Sequence, residues 1–278
     1  MKVTIFTLFP EYFGATLNTS LLGRAQKKGF LEVELVSLRQ FGEGTYLSVD
    51  DKPFGGEPGM VMMPEVLEQA FAFRLGKGDL NRGYRVLDEL EKNVEGFEEQ
   101  DSLKDLLFGN PLESDVNLPY VIYLSPQGVK LSAQFAQGFV QKMTKNPREI
   151  YLLCGHYEGI DQRFIDAFVH KEISIGDYVL TGGEPAALVL LDVFARFLDG
   201  VVGDPQSVIA DTFGTNLQGK LKGPVYTRPN VWRGRPVPEV LLSGHHANIK
   251  AWRQEQSDKT TNKKRPDLAS KPQDLELQ

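Results

Sequence analysis

Residues 173–192 read ISIGDYVLTGGEPAALVLLD. A short apolar run ends at Gly176, a second segment follows, and Gly182-Gly183 lead into a run with helical spacing. Strand, glycine loop and helix together form the unit of a parallel sheet covered by helices. A glycine-rich turn before a helix commonly cradles phosphate. Here no Lys follows the glycines, and Asp177 and Glu184 place carboxylates in the loops, where they would repel phosphate. The ligand is therefore expected to be of another kind.

The same unit occurs twice more, upstream. YVIYLS (120–125) is followed by PQG and a helical pattern over 132–144. EIYLLC (149–154) is followed by GHYEGI and a helical pattern over 161–169, and KEISI (171–175) by GDYVLTGG and a helix over 184–197. Towards the N-terminus, KVTIFTLF (2–9) reads as a buried strand ended by Phe9-Pro10. LEVELVSL (31–38) alternates as a strand does, and between the two LLGRAQKKG (21–29) reads as a helix capped by Ser20 and closed by Gly29. Residues 40–59 read as a loop, and PEVLEQAFAFRL (64–75) as a helix with Pro64 in its first turn. The fold class is α/β with a parallel sheet.

Of the 278 residues, 41% are hydrophobic and 24% charged, ordinary values for a globular protein. No apolar run approaches the roughly 20 residues that span a bilayer, and Pro10-Glu11 break the apolar N-terminus before a signal-peptide pattern can form. One cysteine, Cys154, excludes an internal disulfide, and a reducing cytoplasm is the expected location. Cys154 ends a strand and reads as a buried small hydrophobe. Four histidines show no zinc-ligand spacing, and His170 is expected at the surface.

The net charge of −6 is unevenly spread. Residues 74–118 hold eleven acids and six bases, so the remainder is close to neutral. This acidic stretch, about 75–116, reads as an insertion. Residues 250–271 hold seven bases and three acids, which leaves room for a local basic face. Residues 198–222 have no clear period, 223–243 are proline-rich, and HHANIKAWRQEQ (245–256) reads as a helix. Beyond Ser257 the chain is polar and expected to be poorly ordered. The domains are expected at 1–197 and 223–278, joined by a linker at 198–222.

In a parallel α/β sheet, ligands bind beyond the carboxyl ends of the strands. Loops 125–128, 154–159 and 175–183 would all lie there. Their glycines let the backbone approach a ligand closely, although each loop alone reads more readily as a tight turn. They offer amides, apolar side chains and carboxylates, but no Lys or Arg. A nucleoside without phosphates suits such a lining, as does a cation, and S-adenosylmethionine combines the two. A dinucleotide would need the G-x-G-x-x-G spacing after the first strand, which is missing.

The motifs VDDKPFGGEPGM (49–60), YLSPQG (123–128), LLCGHYEGID (152–161), SIGDYVLTGGE (174–184), RFLDGV (196–201), ADTF (210–213), VYTRP (225–229) and LLSGHHANIKAWR (241–253) occur in order. Together they resemble the bacterial tRNA (guanine-37-N1)-methyltransferase family of the SPOUT trefoil-knot class. The resemblance implies a homodimer, a deep C-terminal trefoil knot within the first domain, and a small, mostly helical C-terminal domain that grips the tRNA anticodon stem-loop. It places S-adenosylmethionine against Ser125, Pro126, Gly128, Gly155, Tyr157, Glu158, Gly159, Ile175, Gly176, Asp177, Tyr178, Val179, Leu180, Gly182 and Gly183. His156 is expected to make a polar contact there.

The implied reaction is methyl transfer to N1 of guanine 37, 3′ of the anticodon, which supports reading-frame maintenance. That nitrogen needs a base to take its proton and a donor for charge on O6. The family's base matches Asp211 and its cation matches Arg196. Without the resemblance, Asp211 is one linker acid among others and Arg196 a helix C-terminal cation. Arg228, Arg233, Arg235, Lys250, Arg253, Lys263, Lys264 and Arg265 are the expected phosphate contacts. Trp232 and Trp252 are further stacking or packing residues, and Asp50 and Asp51 remain open between tRNA orientation and dimer closure. Magnesium dependence comes with the resemblance, although no dedicated ligand cluster is visible. Two departures stand out: Val225 occupies a position where many members have His, and GEGTYLS (42–48) lacks basic residues often present there. The rival readings are methylation of another RNA position, a noncatalytic RNA-binding protein, and a nucleotide-binding dehydrogenase.

Overall fold

A computed structural model describes residues 1–75, 118–204 and 208–269. Apart from Leu75, the expected acidic insertion lies outside the described residues. The chain divides into two compact units, residues 1–201 and 202–278.

The first unit is a five-stranded sheet. Its elements are β1 (Lys2–Thr7), α1 (Ser20–Lys27), β2 (Glu32–Ser37), α2 (Pro64–Arg74), β3 (Tyr120–Lys130), α3 (Ala133–Lys145), β4 (Ile150–Cys154), α4 (Gln162–Phe168), β5 (Lys171–Ser174) and α5 (Glu184–Arg196). The strand order is β2-β1-β4-β3-β5, and every pairing is parallel. Each helix between neighbouring strands therefore crosses a sheet face and buries an apolar stripe on it.

Alternation along a strand divides the core in two. In β4, Ile150, Leu152 and Cys154 enter one cluster with Phe139, Leu190 and Phe194. Tyr151 and Leu153 enter the other, with Val66, Phe71, Phe164 and Phe168. Helices α1, α3 and α5 thus cover one face, and α2 and α4 cover the other. The Ser132 hydroxyl caps α3 by accepting from the Phe135 amide at 3.1 Å, and Asp161 caps α4 by accepting from Arg163 N at 2.9 Å. Gly29 closes α1 at φ +74° as expected. The cap residue of α1 is Thr19, without a side-chain hydrogen bond, and Ser20 is already its first residue.

Two expectations change. β3 does not end at Ser125: it continues to Lys130, and SPQG is a bulge within it. Leu124 and Val129 both pair with Ile173, so residues 125–128 loop out between them. His170 is half-buried rather than at the surface, with Nδ1 accepting from the Val121 amide at 3.2 Å and its ring 4.8 Å from that of Tyr120.

The second unit contains a short antiparallel hairpin (Val231–Trp232 with Arg235–Pro236), α6 (Glu239–Leu242), α7 (His246–Lys264) and α8 (Pro266–Ala269). Here too the structure corrects the sequence reading over its described part, since α7 continues past Ser257 to Lys264 and Pro266–Ala269 form α8. Ser257 and Thr261 are buried. The Ser257 hydroxyl donates to the Leu221 carbonyl, and Thr261 Oγ1 accepts from the Leu221 amide at 3.0 Å. Lys220 pairs with Asp258 at 2.7 Å. The last two turns are thus held by a polar face against residues 220–221.

Candidate active site

The three glycine loops converge at the bulge of β3 and the carboxyl ends of β4 and β5. In the first, the Ser125 hydroxyl accepts from Gln127 N at 3.1 Å. In the second, Tyr157 (φ +59°) and Gly159 (φ +123°) turn the chain through the left-handed region. That loop is laced to residues 60–62: Glu158 N donates to Met60 O, Met62 N to Gly159 O, and Asp161 N to Met62 O. In the third, the Ser174 hydroxyl donates to Gly176 O at 3.0 Å, and Gly176 N donates back to Ser174 Oγ at 3.2 Å. Gly183 N then donates to Gly155 O at 2.9 Å, tying the second and third loops together.

Glycine is required at these contacts by close approach. A Cβ on Gly155 would lie 2.8 Å from the Tyr123 ring, one on Gly183 2.7 Å from Cys154 Cα, and one on Gly182 2.2 Å from His156 Cε1. The loops enclose a cavity of about 240 Å³. Of the expected residues, Ser125, Pro126, Gly155, Tyr157, Glu158, Gly159, Ile175, Gly176, Tyr178, Val179, Leu180, Gly182 and Gly183 line it. Gly128 and Asp177 do not. Gly128 instead lets β3 pass β5, since its Cβ would lie 2.4 Å from Glu172 C and Ile173 N. Asp177 is 87% exposed and pairs with Lys130 at 2.9 Å.

Sequence reasoning missed Tyr123, Leu124, Ile173, Ser174, Thr181 and Ala186, which also line the cavity. Four of them are strand residues immediately before the first and third loops, and that position was the available signal. His156 lines it too.

The expectation of an acidic pocket narrows to one residue, because Glu184 lies beneath the loops at 2% exposure. Its oxygens lie 2.7 and 2.9 Å from His156 Nε2, and Oε1 accepts from the Thr7 hydroxyl. Burial pushes this carboxyl up, but the hydrogen bonds from His156, Thr7 and its own amide outweigh it and hold it below its ordinary value. Glu158 is thus the one carboxylate in the lining, which contains neither Lys nor Arg.

Tyr123 forms part of the wall. Burial, reinforced by Glu172, pushes its hydroxyl up to about 12 despite a backbone hydrogen bond at Ile160, so it stays neutral. Cys154 is fully buried, and burial together with the Glu184 charge raises its thiol well above the ordinary value. It is an inert packing residue. Among the described residues no group of three or more His, Cys, Asp or Glu side chains could hold a metal ion, and no helix is long and apolar enough to cross a membrane.

Arg196 is the last residue of α5 and is half-buried. Asp211, in the second unit, heads a turn: its Oδ1 accepts from Thr212 N at 2.9 Å, and Gly214 N donates to its carbonyl at 2.8 Å. Lys222 Nζ lies 4.0 Å from Asp211 Oδ1. Arg228, Arg233, Arg235, Lys250, Arg253, Lys263, Lys264 and Arg265 are all exposed, with Arg265 clamped on Asp267 at 2.7 Å. Trp252 is half-buried, its ring 6.3 Å from that of Tyr226, whereas Trp232 is exposed.

Comparison with known proteins adds an independent finding. Residues 1–76 and 104–271 match the family described as tRNA (Guanine-1)-methyltransferase TrmD, so the break in the match, 77–103, falls inside the acidic stretch. A tRNA (guanine-N(1)-)-methyltransferase of Caldanaerobacter subterraneus subsp. tengcongensis is 43% identical over 271 residues, covering 98% of this chain and 92% of the relative. One of Protochlamydia amoebophila is 42% identical over 268 residues (96% and 99%), and one of Alkaliphilus oremlandii is 41% identical over 268 residues (96% and 92%).

Proposed function

The chain belongs to the tRNA (guanine-1)-methyltransferase family and is a tRNA (guanine-N1)-methyltransferase; on that premise we propose that the cavity of the first unit holds S-adenosylmethionine and that the target is guanine 37, beside the anticodon. One observation carries the cofactor assignment. The cavity is built from three loops and lined mostly by backbone and apolar groups, with one carboxylate and neither Lys nor Arg. Phosphate would find no Lys or Arg there, whereas an adenine edge finds backbone partners and a sulfonium finds Glu158. The glycines let these loops pack together where a Cβ would collide with Tyr123, Cys154 or His156.

S-adenosylmethionine supplies an electrophilic methyl group when bound. The chain's own residues do the rest. Neutral guanine N1 carries a proton and is a poor nucleophile. Asp211 takes that proton, and Arg196 balances the charge that builds on O6. The target base leaves its stack to be reached, at low cost in a loop. The exposed cations Arg228, Arg235, Lys250, Arg253, Lys263 and Lys264 hold the anticodon stem-loop by its phosphates.

In this reading the second unit, with residues 198–222 as the connection, is the RNA-binding part. The active form is a homodimer, which the exposed apolar side chains Tyr178, Val179 and Leu180 at the cavity support. The tight passage of Gly128 against Glu172 and Ile173 fits a knotted chain. A cytoplasmic location and a role in reading-frame maintenance follow from the substrate. Magnesium, if used, would act without a protein ligand cluster among the described residues.

Calorimetric titration tests the cavity assignment. S-adenosylmethionine and S-adenosylhomocysteine should bind competitively with one another, and ATP should not displace them. Binding of ATP in preference to S-adenosylmethionine would overturn it.

A further inference from the structure

The second unit displays a feature, the Trp232 hairpin, that the methyl-transfer reading uses only for two of its arginines. Residues 225–237, VYTRPNVWRGRPV, contain three arginines and no acid. Their hairpin pairs Val231 with Pro236 and Trp232 with Arg235, and Val237 N donates to Asn230 O at 2.8 Å. Arg233 (φ +50°) and Gly234 (φ +74°) form its two-residue turn, the left-handed geometry that matches strand twist. The hairpin is thus a defined platform, not a loose loop.

At its end Trp232 is 57% exposed, and the Arg233 guanidinium lies 5.0 Å from the centre of the indole ring. A large aromatic side chain held in water on a short hairpin, with a planar cation beside it and two more arginines within four positions either way, has the chemistry that recognises an unpaired nucleotide. The ring stacks on a base, and the guanidinium groups meet the flanking phosphates.

We propose that the hairpin at residues 231–236 is a stacking finger that holds an unpaired nucleotide of the RNA substrate on Trp232, with Arg228, Arg233 and Arg235 on the adjoining phosphates. It rests on the tRNA reading above and deepens it. A stacking face rewards a base that is already unstacked, so the finger selects a loop over a duplex.

The test uses the full chain. Trp252 is the other tryptophan, so Trp252→Phe leaves Trp232 as the sole indole reporter. Titration with an anticodon stem-loop should quench its emission, and a blunt duplex of equal length should not. Trp232→Ala should weaken stem-loop binding by roughly tenfold, in the range of lost base–aromatic stacking. Trp232→Phe should cost under about threefold, since a phenyl ring still stacks. S-adenosylmethionine affinity should be unchanged in both. Should Trp252→Phe not fold, the difference in quenching between the parent chain and Trp232→Phe reads the same signal. Equal quenching by duplex and stem-loop, or undiminished binding by Trp232→Ala, would overturn the finger while leaving the tRNA reading intact. Emission that changes with protein concentration in the absence of RNA would assign the surface to a second copy of the chain and overturn it too. Failure of the parent chain to bind any stem-loop would overturn the tRNA reading itself, and the finger with it.

Discussion

His156 Nε2 lies 2.7 Å from Glu184 Oε2, and the two side chains are packed directly under Gly182. The contact joins the second glycine loop to the first residue of α5, and Thr7 at the end of β1 completes it. A buried polar cluster, and not an acidic wall, therefore lies beneath the cavity, reaching its lining only through His156. Its members are mutually hydrogen-bonded, which is what allows a carboxylate to remain ionised there.

Thr7→Val should expose this dependence. It removes one donor from Glu184 and should cost about 1.5–3 kcal/mol at neutral pH. Glu184 is held below its ordinary value of 4.5 in the folded protein, so its contribution to stability is present above that value and is lost as pH falls through the lower native one. The deficit of the variant should shrink over that acid range. A residual, pH-independent part should remain, because Phe9 N also loses its bond to Thr7 Oγ1. Denaturant unfolding of both proteins at several pH values checks this, and a deficit that widens on acidification would contradict it.

Gly182→Ala should impair the cavity while sparing the fold. The added methyl group meets the His156 ring at 2.2 Å, and the ring has little freedom while Glu184 holds it. Overpacking of this kind costs about 1–3 kcal/mol. S-adenosylmethionine affinity should fall at least about tenfold, since one decade needs only about 1.4 kcal/mol. Calorimetry on the folded variant reads the affinity directly.

Cys154 should resist modification in the native state. It is the single cysteine of the chain, wholly buried, with its thiol raised well above the ordinary value. Thiol reagents should label it only at the rate of unfolding, and stoichiometrically in denaturant. Fast labelling of the folded protein would contradict its placement.

Thr261→Val should loosen the second unit. Thr261 Oγ1 accepts the Leu221 amide, and the substitution leaves that amide without its acceptor, at a cost of about 1–3 kcal/mol. Hydrogen exchange at Leu221 should accelerate well beyond that at Leu152 in the sheet.

The sheet was legible because its strands are short apolar runs punctuated by glycine, as in IYLLC before GHYEG. The candidate site was legible as three loops on one edge because parallel topology puts all three there. The bulge at 125–128 was not legible: nothing local distinguishes SPQG as a turn from SPQG as an interruption, and only pairing of Val129 with Ile173 decides it. The extent of α7 was missed because its inward residues, Ser257 and Thr261, are polar, and their partner at Leu221 is distant in sequence. Glu184 read as a ligand-facing acid because its partners, Thr7 and His156, come from other strands' ends. Asp211 and Arg196 carry no local signal beyond ordinary linker and helix-end residues, and their proposed roles rest on family resemblance alone.

The most direct test is transfer of labelled methyl from S-adenosylmethionine to anticodon stem-loops carrying G or A at the position 3′ of the anticodon, with Asp211→Ala run alongside. The account predicts label on the G substrate alone, as 1-methylguanine, with turnover by Asp211→Ala reduced at least about 100-fold, the lower range for loss of a general base, and its cofactor affinity unchanged. Equal labelling of the A substrate, or full activity of Asp211→Ala, would contradict it.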